Sequence, residues 1–447
     1  MDCVNNPEKC SSSSLPVYYG WWVLAATAIT EMLVIGSTSY GAGLFVLPLQ
    51  RELSLSRAAA NSALPIAFAG AALMAPLVGY LLDRFSARWL ISIGAAVFGL
   101  GLIAISATSS IFLMIVALLV PVGFGGMAIG PLTTSTLAAR WFHRRQGLAL
   151  GIAAVATSAG GIVVVPLLTL AIGAFGWRRA IAADAISVIA ITVALAVFVI
   201  RNRPADLGLE FHPENQHGSK SAPAIAVKIP LQWSYSRILS SANFWTVAFV
   251  LAVITGIDQA IVVTVVPYAI GLGFASVSAA FLISAFSISA AFAKVAAGLL
   301  ADLVERRTII LTSTIAMIAS LLLLLSPAGY ALILFACCLA GTALGCILPS
   351  SSAFVAGYFG SHSFGRIMGM MYVPTVISSL VAAAFIGAIF DRTGNYRIAF
   401  LVFLALAGMS TVAAFAIRRL QQNSAEISQA AVLSASVSNI AAKGSPR

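Results

Sequence analysis

Three charged side chains stand inside long apolar stretches of this sequence: Glu31, Asp258 and Lys294. Lys294 precedes the next charge, Asp302, by about 12 Å along a helix that rises ~1.5 Å per residue. A cation at that depth in an apolar solvent costs at least ~2.5 kcal/mol, so it needs a wet cavity or a partner. The ammonium could bind an anionic ligand, and each carboxylate could load a proton on one side of a barrier and release it on the other.

Structural roles for the same residues remain open. Lys294 could extend towards the interface and the acids Asp302 and Glu305, and Glu31 could be a hydrogen-bonded packing residue. If Glu31 or Asp258 pairs with Lys294 in the empty protein, an anion would compete for that cation, and proton loading would free it. Three further polar side chains could hydrogen-bond a carboxylate or hydroxyl of a ligand, although a packing role is more typical of each alone: Tyr40, Ser289 and Tyr372.

The composition places these residues in a membrane protein. Of 447 residues, 60% are hydrophobic and only 9% are charged, which is more apolar surface than a soluble domain can bury. The net charge of +11 is scattered in short clusters, so nucleic-acid binding is not expected. The glycine-rich GFGGMAIG lies in an apolar run without the Lys-Ser or Lys-Thr of a nucleotide site. No catalytic, metal or cofactor constellation is found, and an enzyme is not expected.

Apolar runs of about 20 residues predict twelve transmembrane helices in an all-α fold. The predicted spans lie near 21–47, 60–82, 89–108, 111–138, 147–170, 180–200, 243–268, 277–301, 308–326, 329–356, 366–389 and 397–417. With the N-terminus inside, 18 Lys and Arg fall in cytoplasmic segments and 6 in outer loops, which puts both termini in the cytoplasm. We expect a multi-pass protein of the plasma membrane, or of the inner membrane in a bacterium.

The two halves of the chain repeat each other at an offset of 217 to 219 residues. GYLLDRFSAR at 79–88 aligns with GLLADLVERR at 298–307, which places Gly79 and Asp83 on Gly298 and Asp302. Parallel repeats of this kind predict two pseudo-symmetric six-helix bundles with a ligand site between them. The predicted units are a cytoplasmic tail 1–20, a bundle 21–200, a cytoplasmic linker 201–242, a bundle 243–417 and a disordered tail 418–447.

GYLLDRFSAR also resembles the loop signature of the major facilitator superfamily, with Ser86 and Ala87 where Gly and Arg are usual. The resemblance implies that small residues let two helices touch and that a carboxylate near a helix end pairs with arginines in only one conformation. Topogenic charge is the alternative explanation. The implied gating residues are Gly79, Asp83, Arg84, Arg88, Gly298, Asp302 and Arg306.

A closer resemblance is to the monocarboxylate transporters and their oxalate/formate antiporter relatives, through YYGWWVL, ARWFHRRQGLALGIAAVATSAGG, FAKVAAGLLAD and FDRTGNYRIAF. It implies that Lys294 replaces a carboxylate-binding arginine and that Ala290 replaces a proton-coupling aspartate. Two other acids within the spans, Asp258 and Glu31, could take over the proton. The eleventh span lacks the second cation of dicarboxylate exchangers, which suits a substrate with one carboxylate.

The implied function is therefore secondary active transport of a small monocarboxylate resembling lactate or pyruvate, coupled to protons, by alternating access. Its partners would be the organic anion, protons and the bilayer. One alternative is an efflux carrier for larger amphipathic compounds, with a site dominated by Phe281 and Phe286 and with Lys294 dispensable. The other is a receptor that binds an organic acid without moving it.

Two further patterns carry structural interpretations only. Asp184 opens the sixth span beside Arg178 and Arg179, where a local ion pair explains it. Gly126 and Gly130 have the G-x-x-x-G spacing of a close helix contact.

Overall fold

The computed structural model describes residues 18–54, 62–142, 145–207, 235–301, 303–326, 329–360 and 363–416. All regular structure in these ranges is helical, and twelve helices are long and apolar enough to cross a membrane. The twelve-helix prediction is confirmed. Most of the predicted tails and linker, together with Asp302, lies outside the described residues.

The helices form two bundles of six, numbered here as spans in chain order. Spans 1 to 6 are Tyr19–Tyr40, Ala63–Arg84, Ala87–Ala107, Ile111–Trp141, Gln146–Phe175 and Trp177–Phe198. Spans 7 to 12 are Ala242–Gly271, Ser276–Ala301, Arg306–Leu325, Tyr330–Phe359, Phe364–Thr393 and Arg397–Ala416. Two shorter α-helices, Ala42–Leu53 and Tyr235–Leu239, and a 3-10 turn, Pro204–Leu207, accompany them. The predicted first span ran on to residue 47, whereas in the structure Ala42–Leu53 is a separate helix.

Spans 1 and 4 each contain a π-helical turn. In span 1 the turn is Gly36–Tyr40, and in span 4 it is Leu118–Val122, around Pro121. Proline has no amide proton to donate, which favours this wider turn. A π turn shifts the side chains that follow it around the helix. Residues of span 1 on either side of the turn therefore face different surroundings.

Helix contacts in span 4 involve two glycines besides the pair that the sequence predicted. A side chain at Gly123 would meet the backbone of Gly70 in span 2, and one at Gly125 would meet Phe98 in span 3. A side chain at Gly126 or at Gly130 would lie 3.9 or 4.0 Å from Val34 Cγ1 of span 1. Gly126 and Gly130 therefore both lie against span 1, while Gly123 and Gly125 make the closer approaches, to spans 2 and 3.

The YYGWWVL segment ties three spans of the first bundle together. The Tyr18 hydroxyl donates to the carbonyl of Trp141 at 2.8 Å, and the Tyr19 hydroxyl donates to that of Val199 at 2.8 Å. The Trp141 indole in turn donates to the carbonyl of Arg201 at 2.9 Å. These bonds join the start of span 1 to the ends of spans 4 and 6, so this motif has a structural role in the bundle.

At the opposite end of the bundle, Glu52 fixes the helix Ala42–Leu53 to span 6. Its carboxylate accepts from Arg178 Nε at 2.8 Å and from the Trp177 indole at 2.5 Å. Arg178 also donates to the carbonyls of Ser106 and Thr108 at 2.6 and 2.7 Å, so it links span 3 to the same cluster. Donation from Arg178 and Trp177 lowers the pKa of the Glu52 carboxyl below its ordinary value of 4.5.

We expect Glu52→Gln to reduce the loss of stability that acid causes. A depressed pKa in the folded state stabilises the fold above about 4.5, and this contribution is lost as the pH falls through the lower folded value. The measurement is the unfolding temperature of purified protein in detergent, followed from neutral pH downwards through that range. Because Glu52 is exposed, the difference should be small; parallel acid slopes for the two proteins would contradict it.

Candidate functional site

Lys294 lies where the two bundles meet. Only 4% of the residue is exposed, and its Nζ donates to Thr157 Oγ1 at 2.8 Å and to Ser158 Oγ at 3.1 Å. Both hydroxyls belong to span 5, so the ammonium of span 8 is held by the other bundle. No described carboxylate oxygen lies within 4.0 Å of it. A buried cation held only by neutral hydroxyls keeps most of its attraction for an anion.

Glu31 and Asp258 are two buried acids whose charges act on the Lys294 ammonium. Glu31 in span 1 is 1% exposed and Asp258 in span 7 is 7% exposed, and both interact electrostatically with the Lys294 ammonium. Glu31 Oε2 and Asp258 Oδ1 lack hydrogen-bond partners among the described atoms. Neither acid forms the direct ion pair with Lys294 that the sequence left open, and both act on the ammonium at longer range. Such unsatisfied oxygens are costly when charged, and a proton removes that charge.

Tyr40 and Tyr372 extend the polar surroundings of these charges. The Tyr40 hydroxyl lies within hydrogen-bonding reach of Ser158 and in the field of Asp258, and the residue is 48% exposed. Tyr372, in span 11, lies in the field of Glu31. Spans 1, 5, 7, 8 and 11 therefore all contribute polar side chains to one region between the bundles.

Ser289 is placed differently. Its hydroxyl donates to the carbonyl of Phe286 at 2.9 Å, and it contacts Gly341 of span 10 within its own bundle. Its binding role remains a prediction from the sequence, and we leave it out of the site assembled below.

Glycines join the bundles at one end, which is the predicted cytoplasmic end. Gly79 of span 2 lies against the backbone of Gly365 in span 11, and Gly298 of span 8 lies against Gly147 and Gly151 in span 5. In the repeat, Gly79 corresponds to Gly298 and Gly147 to Gly365, so one contact is made twice. A side chain at Gly369 would likewise meet the carbonyl of Ala75. We call these six residues the glycine contact: Gly79, Gly147, Gly151, Gly298, Gly365 and Gly369.

Asp83 reinforces the glycine contact. It accepts from the amides of Gly365 and Arg366 at 3.2 and 2.9 Å, at the N-terminus of span 11, and from Arg140 at 3.2 Å. Its side chain is only 3% exposed. A carboxylate at a helix N-terminus is stabilised by the free amides and the helix dipole, so Asp83 holds spans 2, 4 and 11 together in this conformation.

The predicted arginines of the gate are not the partners of Asp83. Arg84 donates to the Tyr80 hydroxyl, and Arg306 lies against Gly357 in span 10. Arg88 is half-buried near the start of span 3. Asp302 lies outside the described residues. Of the predicted set, Gly79, Asp83 and Gly298 are therefore the members whose contacts join the bundles.

We expect Gly298→Val to reduce the initial rate of substrate uptake by about tenfold or more. A side chain here would meet the Gly147 carbonyl oxygen at 2.6 Å and the Gly151 Cα at 2.9 Å, and backbone atoms cannot yield without parting the helices, at a typical cost of ~1–3 kcal/mol. The matched control is Gly387→Val in span 11, where nothing lies within 4 Å. Uptake into proteoliposomes is the measurement, and equal rates for the two variants would contradict this role.

Comparison with known proteins decides the family. A model of the Major Facilitator Superfamily matches residues 27–282 and 248–442, which together span nearly the whole chain. The chain belongs to the Major Facilitator Superfamily. The members it resembles are transporters and not enzymes. This confirms three predictions from the sequence: the family, the fold class, and a transporter rather than an enzyme.

The relatives of this superfamily transporter include carriers of organic acids. Monocarboxylate transporter 11 of Mus musculus is 26% identical over 399 residues, covering 86% of this chain and 84% of that protein. The oxalate:formate antiporter of Oxalobacter formigenes is 24% identical over 273 residues, 61% of each chain. The solved proton:xylose symporter XylE, at 13% identity, covers 90% of this chain and 96% of its own with a TM-score of 0.69, which shows the shared fold.

Sequence reasoning missed the partners of the functional side chains. Thr157 and Ser158 lie within the ARWFHRRQGLALGIAAVATSAGG motif as a polar pair in an apolar span, and that pairing was the available signal. Arg140 is in the same motif, but 57 positions separate it from Asp83. Contacts between residues so far apart follow from how the spans pack, which periodicity and local motifs do not specify.

Proposed function

We propose that this superfamily member is a secondary active transporter of a small monocarboxylate, resembling lactate or pyruvate, that moves together with a proton. The bundles would rock about the central site, as alternating access requires. We place the protein in the plasma membrane, or the inner membrane of a bacterium, with both termini in the cytoplasm. The observation that carries the proposal is Lys294, an ammonium buried between the bundles and held by neutral hydroxyls.

The proposed substrate contact is an ion pair between Lys294 and one carboxylate. In the structure the ammonium donates to Thr157 and Ser158 at 2.8 and 3.1 Å. A substrate carboxylate would replace these neutral acceptors with a charged one, and charge-assisted hydrogen bonds are about twice as strong. The displaced hydroxyls could then donate to the substrate. The lysine ammonium is a point charge, so it can bind a single carboxylate without bidentate geometry.

The site is proposed to open away from the glycine contact. The contacts of Gly79, Gly298 and Asp83 close the predicted cytoplasmic end, whereas Tyr40 beside Ser158 is 48% exposed. We therefore assign this conformation as outward-open. Rocking would separate the glycines and release Asp83 from the start of span 11 while the other end closes.

Proton coupling is assigned to Glu31 and Asp258. Each is buried, has one unsatisfied oxygen and interacts with Lys294 across space. When both are ionised they compete with an anion for the ammonium, and a proton on either weakens that competition. Proton and substrate would therefore bind in a mutually favourable way, which is the thermodynamic requirement of symport.

The proposal is tested by uptake of labelled lactate, pyruvate and other monocarboxylates into proteoliposomes, with and without an inward proton gradient. We expect saturable uptake of at least one acid, stimulated by the gradient and competed by unlabelled acid. If no acid in the panel is taken up, and larger amphipathic compounds are moved instead, the proposal is wrong. Phe286, which an amphipathic-compound site was expected to use, is buried in the second bundle and contacts span 10.

A further inference from the structure

A cavity lies inside the first bundle, and its lining residues do not include Lys294. Its volume is about 280 Å³, and it is bounded by spans 1, 2, 3, 4 and 6 and by the helix Ala42–Leu53. Most of its wall is apolar, formed by residues that include Phe45, Leu49, Leu102, Ile105, Met114 and Trp177. Its polar lining comes from Ser37, Thr38, Ser62 and Asp184. We call it the N-bundle cavity.

Asp184 has no cationic partner in the part of the chain that the structure describes. The expected ion pair with Arg178 or Arg179 is wrong, because Arg178 pairs with Glu52 at 2.8 Å instead. Asp184 lies seven residues into span 6, which is ~10 Å along the helix. Asp184 is half-buried and lines the cavity.

Ser37, the described hydroxyl that interacts with Asp184, satisfies this carboxylate poorly. Ser37 lies within hydrogen-bonding reach of Asp184, but its Oγ also lies 2.8 Å from the carbonyl of Leu33. A serine hydroxyl has a single proton, so donation to Leu33 leaves Asp184 without it. A carboxylate inside a membrane span is expected to have a functional partner, and here the open side of that carboxylate faces an apolar cavity.

We propose that the N-bundle cavity binds a small hydrophobic amine in its ammonium form. The apolar wall would take the hydrocarbon body, and Asp184 would accept a charge-assisted hydrogen bond from the ammonium. A neutral apolar molecule would leave the carboxylate unsatisfied, and an anion would be repelled by it. The proposal concerns a different site from Lys294 and does not depend on which substrate the protein carries.

The π turn of span 1 connects this cavity to the central region. Ser37 and Thr38 of the turn line the cavity, whereas Tyr40 of the same turn faces Ser158 and Asp258. An amine bound to Asp184 would compete with the contact between Ser37 and Asp184, and would so change the packing on one side of the π turn. Tyr40 lies on the other side of the same turn. π turns are frequent at functional sites. A bound amine should therefore change the rate of uptake as well as occupy the cavity.

The test is equilibrium dialysis of N,N-dimethylbenzylamine against the purified full-length protein at neutral pH, with protein-free micelles as the blank. Isobutylbenzene, in which carbon replaces the amine nitrogen, is the uncharged control ligand. We expect saturable binding of the amine to the wild type and binding at least about tenfold weaker to Asp184→Asn, because a charge-assisted bond is lost. Isobutylbenzene should not distinguish the two proteins.

A second variant protects the test against misfolding of the first. Ala63→Phe projects a ring into the cavity from its lining and keeps the carboxylate, so it should also lose the amine. The unfolding temperature of each variant is checked first. Equal amine binding to wild type, Asp184→Asn and Ala63→Phe would overturn the proposal, since it would place the amine in the detergent or elsewhere on the protein.

Discussion

Lys294→Gln should lower uptake of the transported monocarboxylate by about 100-fold at low substrate concentration. The variant keeps a polar side chain, one atom shorter than lysine, that can hydrogen-bond Thr157 or Ser158. It removes the charge that would pair with the substrate carboxylate, and leaving one member of a buried pair alone costs ~3–5 kcal/mol. Initial uptake rates in proteoliposomes, normalised to the amount of inserted protein, give the measurement.

Lys294→Arg is the matched control for the charge. A guanidinium keeps the positive charge with a planar, five-donor geometry, so this variant should retain a measurable part of the uptake that glutamine loses. Unfolding temperatures for both variants separate loss of function from loss of fold. Wild-type uptake by Lys294→Gln would mean that the lysine serves structure alone, as a buried donor to span 5, and would remove the principal support for the monocarboxylate assignment.

The double variant Glu31→Gln with Asp258→Asn should transport without responding to a proton gradient. For one proton per substrate, a gradient of one pH unit can drive about tenfold accumulation, since one unit corresponds to ~1.36 kcal/mol. Without a titrating group at the site, that accumulation should vanish. Both replacements preserve shape and hydrogen-bonding capacity, which limits other effects on the buried site.

Exchange of labelled for unlabelled substrate is the internal control for the double variant. Exchange needs no net proton movement, so it should persist where accumulation is lost. The single variants assign the proton carrier, because only the change at the coupling residue should abolish accumulation. Gradient-driven accumulation that survives in the double variant would show that the proton travels through other groups, and the role given to Glu31 and Asp258 would be withdrawn.

The sequence determined the twelve spans and their arrangement in two halves. Length and continuity of the apolar runs decide which segments can cross a bilayer, and this information is local. The repeat of Gly79 and Asp83 on Gly298 and Asp302 also indicated which helix ends are equivalent. Lys294 was identified as unusual by depth alone, because a charge within an apolar run stands out without any structure.

Tertiary structure decided which groups those residues meet. Lys294 donates its hydrogen bonds to hydroxyls of the other bundle and not to an acid. Asp83 is bound by backbone amides of span 11 and by Arg140, and not by its neighbours in the motif. Asp184 was expected to pair with an adjacent arginine but borders a cavity of its own. Helical periodicity indicates which residues share a face, yet rotation of each helix, shifted here by π turns, determines what that face contacts. Those rotations depend on the packing of all the spans at once, which a single sequence does not state.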